Sequence, residues 1–477
     1  MINQNSKKLI NISKKAFIQV TILLLVLLVI TIVLTYIIPA GSFGTFPDGS
    51  VDYSSYHVLE GARGIPIWKG LLAPFLVFAS SDGLTLITLS LFLLILTAAF
   101  QIMNDVGGIH VLIGSVARRF QNRGFLLLSV ISLAFMCFGA FLGLFEEMLT
   151  MLPIMVMFCL TIGFDSFTGF LISIVACGFG FASAITNPFT VLLASEIIGA
   201  NPMNKIWYRL IIFVVMYLLL EVFLYIYIRK IRKNPENSFT YTHDMRIREE
   251  NAGSSAMDYS AANSKRMKWI YGSFLLVGLL LIVLCSLIPS ISGYTVVVLT
   301  VYFLIFGILA GVFSTGSWKG IFKSFLKGIT GALPSIVFIA LSASVKYVFE
   351  EGHILPTIAF QINKIAASKN IFLIAIVLYG IILLLEFFIS SSTAKAVLVM
   401  SILAVVNLGL SKQMSVLIYT FADGYTNLLF PTSPVLLISL SIIEMDYLKW
   451  VRKSIPLFLV NLLLVIGFLA LGIVIGY

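Results

Sequence analysis

Charge is what this chain has least of. Only 11% of its 477 residues are charged, while 60% are hydrophobic. That balance excludes a soluble globule and points to membrane spans. Cysteine is equally sparse. Cys137, Cys159, Cys177 and Cys285 all lie in apolar segments without CxxC spacing. A disulfide framework and a cysteine metal centre are therefore not expected, and the four read as packing residues. The histidines, His57, His110, His243 and His353, are scattered, so no metal site is expected from them. The chain has no Walker motif for ATP and no HExxH for a metalloprotease. Acidic residues number 21 against 31 Lys and Arg. The surplus sits beside apolar segments: Lys7, Lys8, Lys14 and Lys15; Arg118, Arg119 and Arg123; Arg229, Lys230, Arg232 and Lys233; Lys319, Lys323 and Lys327; Lys449, Arg452 and Lys453. This is the positive-inside pattern of cytoplasmic loops, not a nucleic-acid surface.

Polar residues interrupt the apolar sequence at a few places, and these organise the chain. The sharpest is Phe421–Pro434, FADGYTNLLFPTSP. Pro431 and Pro434 lack backbone donors, and Gly424 lets the chain leave helical geometry. A carboxylate such as Asp423 costs roughly 2.5–3.5 kcal/mol at membrane depth on insertion scales. Bare backbone there is tolerated only where it is buried in protein or lines a cavity. The stretch reads as a helix broken around a polar site. Phe181–Thr190, FASAITNPFT, resembles it, with Thr186-Asn187-Pro188 standing where Thr426-Asn427 stands later. Two broken helices in corresponding places point to a transporter binding site.

The pass along the chain predicts a cytoplasmic amino terminus at 1–16 and a first span from Phe17. An outer loop at 39–66, an interfacial segment Ile67–Ser80 and a span Gly83–Met103 follow. Gly107–Gly124 is amphipathic and cytoplasmic. The block Phe125–Leu160 is interrupted by Glu146-Glu147 and Pro153. It must start and end inside, as two full spans or as a re-entrant hairpin; the second half favours the hairpin, with its tip near Phe145–Met148. A broken helix at 167–198 and the helix Trp207–Ile228 complete a first repeat, 17–228. Residues 229–267 form a polar, mobile cytoplasmic linker. The second repeat, 268–477, holds spans at Trp269–Ile288 and Tyr294–Phe313, a cytoplasmic segment Trp318–Gly331 and a span Pro334–Val348. It continues with a hairpin at 371–408, a broken helix at 414–443 and a final span Pro456–Ile475.

Self-comparison supports the division. Trp68-Lys69-Gly70 recurs as Trp318-Lys319-Gly320, Ile38-Pro39 as Ile288-Pro289, and Gly107–His110 resembles Gly352–Ile354. Arg123-Gly124 resembles Lys369-Asn370, and the Glu146-Glu147 tip aligns with Ser392-Thr393. Thr186-Asn187 matches Thr426-Asn427, and Trp207–Arg209 matches Trp450–Arg452. The order is preserved and the offset drifts only from about 250 to about 240. The extra span Tyr294–Phe313 inverts everything after it. The expected fold is an all-α polytopic inner-membrane protein with two inverted-topology repeats. It has about nine transmembrane helices, two of them broken, plus two re-entrant hairpins; the amino terminus is cytoplasmic and the carboxyl terminus outside.

GLFEEM, TNPFTVLLA, ISSSTAKAVL, and especially FADGYTNLLFPTS with DYLKWVRK downstream, resemble the YfcC-type basic amino-acid antiporter and C4-dicarboxylate anaerobic carrier family of the ion transporter superfamily. The likeness spans about residues 15–477. It implies hairpins packed in inverted repeats, a homodimer built on scaffold helices, and elevator-type movement of a transport domain.

The expected substrate-binding residues are Glu146, Glu147, Thr186, Asn187, Ser391, Ser392, Thr393, Asp423, Thr426 and Asn427. Asn187, Asp423 and Asn427 are candidates for contact with a coupling ion, Na⁺ or H⁺. No other cofactor and no resident metal is expected. Adjacent glutamates point about 100° apart on a helix, so Glu146 and Glu147 divide their roles. Ser390–Thr393 offer small hydroxyls at a helix N-terminus, suited to a carboxylate or to tight helix packing. Lys395 either neutralises Glu386 across the tip, snorkels, or meets a substrate carboxylate. Glu146, Glu147, Asp423 and Glu386 oppose Lys395 alone, which suits a cationic or zwitterionic substrate. The expectation is a secondary active transporter of amino acids, basic (arginine- or ornithine-like) ones foremost, working by exchange or ion-coupled alternating access; the alternative is a Na⁺- or H⁺-coupled C4-dicarboxylate or other organic-anion transporter of the same fold. A lone Asp423 without a partner motif argues against an enzyme.

Overall fold

The computed structural model describes residues 14–477, apart from 48–50, 62–63, 110, 112–123, 253–260, 289–293, 316–317, 359, 361–369, 390 and 406–407. The basic amino-terminal residues, most of the amphipathic segment 107–124 with its three arginines, Ser390, Lys369 and part of the linker lie outside the described residues.

The chain is an all-α polytopic membrane protein. Eight described helices are long and apolar enough to cross a membrane, among them Gly83–Asp105, Ile206–Lys233, Thr295–Thr315 and Tyr447–Val474. Helices of this length rise about 30–40 Å, enough for the hydrocarbon core. Their outward faces are apolar, with Ile22, Leu84, Val222 and Leu463 all exposed, as a lipid-facing surface requires. The described sheet is one hairpin in the predicted outer loop, Gly41–Thr45 paired antiparallel with Val51–Val58. Ile67–Ser80 forms short helical turns, Ile67–Leu71, Ala73–Leu76 and Val77–Ala79, with Trp68 and Phe75 exposed.

Two groups of helices can be distinguished. In the first, Gly83–Asp105 packs against Trp318–Glu351 and Thr295–Thr315, with Lys14–Ile37 and Ala261–Leu287 outside them. Buried Asp105 accepts hydrogen bonds from Gln101 at 2.6 Å and Ser324 at 2.8 Å, with Lys327 3.6 Å away. Trp318–Glu351 corrects the sequence reading. It is one helix of 34 residues, not a surface segment followed by a span, and Pro334 lies inside it. A membrane helix tolerates such a proline where neighbours satisfy the freed backbone groups.

The second group holds both interrupted blocks and both broken helices. The first block is Gly124–Cys137 continued by a wide turn Phe138–Leu142, then Leu152–Thr161. The second is Ile371–Phe388 and Ser392–Val405. The first broken helix runs from Ser166 to Ala182, breaks, and resumes as Pro188–Leu192 and Leu193–Ile198. The second is Lys412–Thr426 followed by Pro434–Ile442.

Contacts mark the two ends of the molecule. At one end Arg232 lies 5.2 Å over the Phe164 ring, Arg248 donates to Phe164 O at 2.7 Å, and Lys449 donates to Phe239 O at 2.7 Å. At the other, Lys205 donates to Ile475 O at 3.0 Å and Lys412 to Gly199 O at 3.3 Å. The first block returns to the Phe164 end. The second leads into Ser411, which bonds the Tyr477 carbonyl at the opposite end.

The linker is more ordered than its composition suggests. Its helix Tyr241–Ala252 is docked through Asp244. That buried carboxylate accepts bonds from Ser166 N at 3.1 Å, Thr240 Oγ1 at 2.7 Å and the Ser166 hydroxyl. Burial pushes the Asp244 carboxyl up, against the bonds from Ser166 and Thr240 that lower it.

Candidate functional site

The first block and the first broken helix satisfy each other's backbone. The turn Phe138–Leu142 frees carbonyls at membrane depth, where each needs a donor. Ala140 O accepts from Ile185 N at 2.9 Å and Thr186 N at 3.2 Å. Phe141 O accepts from the Thr186 hydroxyl at 3.2 Å, and Gly139 O from the Asn187 amide at 3.2 Å. Gly143 ends the turn with φ +70°, where its missing side chain leaves room for Asn187. The Asn187 oxygen is directed at its own helix, accepting from Phe189 N at 2.9 Å and Thr190 N at 3.3 Å ahead of Pro188. It is an N-cap, and its burial is complete.

The Glu146-Glu147 tip stands directly beyond this seam. Glu147 is 7% exposed whereas Glu146 is exposed. Neither has a salt-bridge partner among the described residues. The turn Glu147–Thr150 also reaches Pro434–Ile442, the far segment of the second broken helix, and the helix Gly83–Asp105.

The second centre lies under the other tip. The Lys395 ammonium contacts Glu386 Oε2 directly and lies 2.7 Å from Asp423 Oδ1. Thr426 Oγ1 approaches Glu386 Oε2 at 3.3 Å, and the Asn427 amide donates to Asp423 O at 3.0 Å. The Asp423 contact is an ion pair without hydrogen-bond alignment, since neither Asp423 carboxylate oxygen has a hydrogen-bond partner. The alternative left open for Lys395 is thus answered in this conformation: it neutralises acids, and Asp423 is one of them. Ser391 and Thr393 hydroxyls lie 3.2 Å apart at the tip, and Ser392 O accepts from the Tyr419 hydroxyl.

The two centres meet where the broken helices cross. A side chain at Gly424 would come within 2.0 Å of Ala182 Cα. Gly424 is therefore needed for close approach; the helix runs through it to Thr426, so it does not begin the break as the sequence suggested. The Thr-Asn correspondence also shifts. Thr186-Asn187 closes the first break, whereas Thr426-Asn427 opens the second. The true counterpart of Asn187-Pro188 is Ser433-Pro434, where the Ser433 hydroxyl accepts from Leu436 N at 3.4 Å. The letters matched because Asn serves either end of a helix.

Sequence reasoning passed over two partners of the breaks and one of the first block. Arg209, 3% exposed, donates to Ala184 O at 3.0 Å, and Trp450 donates to Leu428 O at 2.8 Å. Both lie in repeat matches, so a signal existed. Glu221 accepts from Ser129 Oγ at 2.5 Å and from Ser132; nothing in the periodicity marked it. No group of three or more His, Cys, Asp or Glu able to hold a metal ion occurs among the described residues.

Broken helices, interrupted hairpin-like blocks and charged groups buried at membrane depth define a membrane transporter rather than an enzyme. The chain belongs to the C4-dicarboxylate anaerobic carrier family, whose description matches residues 17–474. It is 24% identical, over 93% of its length and 94% of the relative's, to an Escherichia coli (strain K12) protein named "Putative basic amino acid antiporter YfcC". A Haemophilus influenzae protein without assigned function is 24% identical over 79% of this chain and 73% of its own. Among solved structures, the Alcanivorax borkumensis YdaH transporter aligns over 96% of this chain and 99% of its own, at 17% identity and a TM-score of 0.44. Neisseria gonorrhoeae MtrF, described as one of a class of antimetabolite efflux pumps, aligns over 94% of both chains at 14% identity and a TM-score of 0.43.

Proposed function

We propose that this chain exchanges basic amino acids across the inner membrane by alternating access. One observation carries the reading. Lys395 is engaged by Glu386 and Asp423, while Glu146 and Glu147 have no cationic partner among the described residues. A site with unpaired carboxylates and its lysine already neutralised favours a cation. In this reading Glu146 and Glu147 meet the amino or guanidinium group. Ser391, Ser392 and Thr393, at the start of the helix Ser392–Val405, take the α-carboxylate. Thr186, Asn187, Asp423, Thr426 and Asn427 hold the two breaks in shape around it. The blocks 124–161 and 371–405 are re-entrant hairpins of two inverted repeats, entering from opposite faces, with the substrate at their meeting point. The name of the Escherichia coli relative agrees with this substrate class.

The test is uptake by proteoliposomes loaded with unlabelled arginine. Labelled arginine accumulates, unlabelled arginine competes and succinate does not. Glu147→Gln abolishes uptake while the protein still elutes as a folded species. Succinate uptake without arginine uptake would overturn the reading and assign the dicarboxylate transport that the family's description names.

A further inference from the structure

The first broken helix starts on acceptors from another segment. The leading N–H groups of a helix have no carbonyl partner within it and need one elsewhere. Ser166, Phe167 and Thr168, which open the run Ser166–Ala182, are all buried, so water does not serve them. Thr168 N donates to Asp165 Oδ1 at 2.8 Å, within the same turn. The other two reach outside it. Ser166 N donates to Asp244 Oδ2 at 3.1 Å, and Phe167 N to Thr240 Oγ1 at 3.3 Å, both in the segment 234–252. That segment also holds the end of the second broken helix. Arg246 lies 2.5 Å from Glu444 Oε1, Lys449 donates to Phe239 O at 2.7 Å, and Lys453 stands 5.1 Å over the Phe239 ring. Glu444 occupies a position that favours glycine. Both broken helices finish in the same turn: Gly199 N donates to Glu196 O and Ala200 N to Ser195 O, as Glu444 N does to Ser441 O and Met445 N to Leu440 O. The turn needs a left-handed residue. Gly199 supplies φ +66° without strain, whereas Glu444 holds φ +49°. A residue with a side chain keeps such a backbone where its surroundings over-determine it, and here they are Arg246 and His243.

We infer that the segment 234–252 is a strap that locks the two broken helices together at the Phe164 end, with Glu444 as its catch. The helices already touch where Gly424 crosses Ala182, but a single crossing is a pivot. Ser166 lies about 24 Å along the helix from Ala182, so a turn of about 5° at the crossing would shift that end by about 2 Å and part its hydrogen bonds. A second attachment, at the far end of this lever, removes the pivot. Asp244 and Thr240 take the start of one broken helix, Arg246 and Phe239 take the end of the other, and the short helix Tyr241–Ala252 carries Asp244 and Arg246 two residues apart. The two breaks of the transporter therefore change their surroundings together rather than one at a time. Glu444 stands where glycine would fit better because only a side chain there can meet Arg246. The inference concerns how the site is held and does not depend on which substrate it takes.

The test is amide hydrogen exchange by mass spectrometry on the purified full-length protein at pH 7, without substrate. The strap is released from the second broken helix and the reading is taken on the first, at the amides of 166–168, which Glu444 does not touch. Glu444→Gly relieves the strained backbone while removing the carboxylate, so its own turn should form at least as well as before. If Glu444 is the catch, the strap nevertheless undocks more often, and exchange at 166–168 rises about two- to fivefold, the range for a half-exposed ion pair. Adding Lys449→Met, which removes the bond to Phe239 O, raises it further. Thr240→Val undocks the strap from the first side and gives the exchange rate of a released helix start; combined with Glu444→Gly it should fall short of the sum of the two effects, because both act through one docking step. Wild-type rates at 166–168 in both Glu444→Gly and the Glu444→Gly, Lys449→Met double variant would overturn the inference. So would an equal acceleration within 83–105, since that would be general loosening and not release of a strap. The measurement reads no transport, so its failure leaves arginine exchange standing, and failure of arginine uptake leaves the strap standing.

Discussion

The two broken helices share a plan and differ in what each does with charge. Around the first, Glu146 and Glu147 have no cationic partner among the described residues, and the break is held by bonds from Ile185, Thr186 and Asn187 to the Gly139, Ala140 and Phe141 carbonyls. Around the second, Asp423 and Glu386 converge on Lys395 and are sealed from solvent. The two breaks thus differ in charge: the acids of one lack a cation among the described residues, and those of the other share Lys395.

The most severe way to break that comparison is to take the cation from the sealed half. Lys395→Met leaves two buried acids facing each other, and losing one partner of a buried ion pair costs about 3–5 kcal/mol. The expected result is a large fall in thermal stability. Adding Glu386→Gln restores part of it, and a double-mutant cycle reads the coupling. Gly424→Ala attacks the crossing instead. Its new methyl would meet Ala182 Cα at 2.0 Å, and overpacking of this kind costs about 1–3 kcal/mol. A lowered melting temperature and lost uptake are expected from Gly424→Ala. A neutral result would mean that the two breaks are not held together at that point.

The contrast explains what could be read from the sequence. Interruptions in apolar sequence are conspicuous, because each polar residue in a span needs a reason. Helices flank each interruption: Gly124–Cys137 and Leu152–Thr161 stand either side of Glu146-Glu147, and Lys412–Thr426 and Pro434–Ile442 either side of the second break. Partnership was less legible. The acids were visible, but whether Lys395 faced Asp423 or a ligand depended on how two segments cross, which letters do not encode. The linker misled for the same reason. Asp244 finds Ser166, 78 residues away, and Asp165 takes the hydroxyls of Tyr227 and Ser238. That network is polar in composition, so it resembles a solvated tail until its partners are seen. Pro334 misled locally: its missing donor suggested a boundary, where the neighbouring helices sustain a continuous one.

Smaller effects sharpen the comparison at the caps. Asn187→Ala removes an N-cap and the amide bond to Gly139 O, at about 0.5–2 kcal/mol. Ser433→Ala removes only the 3.4 Å cap of the second break, so its loss should be the lesser. Melting curves of the two variants measure how unequally the breaks depend on their caps.

The mildest change asks whether the halves are tied outside the membrane. The docked linker helix reaches the second half through Arg246, 2.5 Å from Glu444 Oε1, with His243 Nδ1 at 3.6 Å from Oε2. Burial alone would raise the Glu444 carboxyl, but the bonds from His243 and Arg246 outweigh it and hold it below the usual glutamate range. A carboxyl depressed on folding contributes stability above its unfolded value, about pH 4.3, and loses it as pH falls through the folded one. Arg246 is 48% exposed, so solvent screens the pair and Arg246→Ala should cost only about 0–1 kcal/mol. Its signature is local: faster amide exchange across 241–252 at pH 7, with the difference from wild type vanishing below pH 4. Exchange that does not change would show that the contacts with Ser166 and Phe164, together with the Lys449 bond to Phe239 O, hold the linker without the Arg246–Glu444 pair.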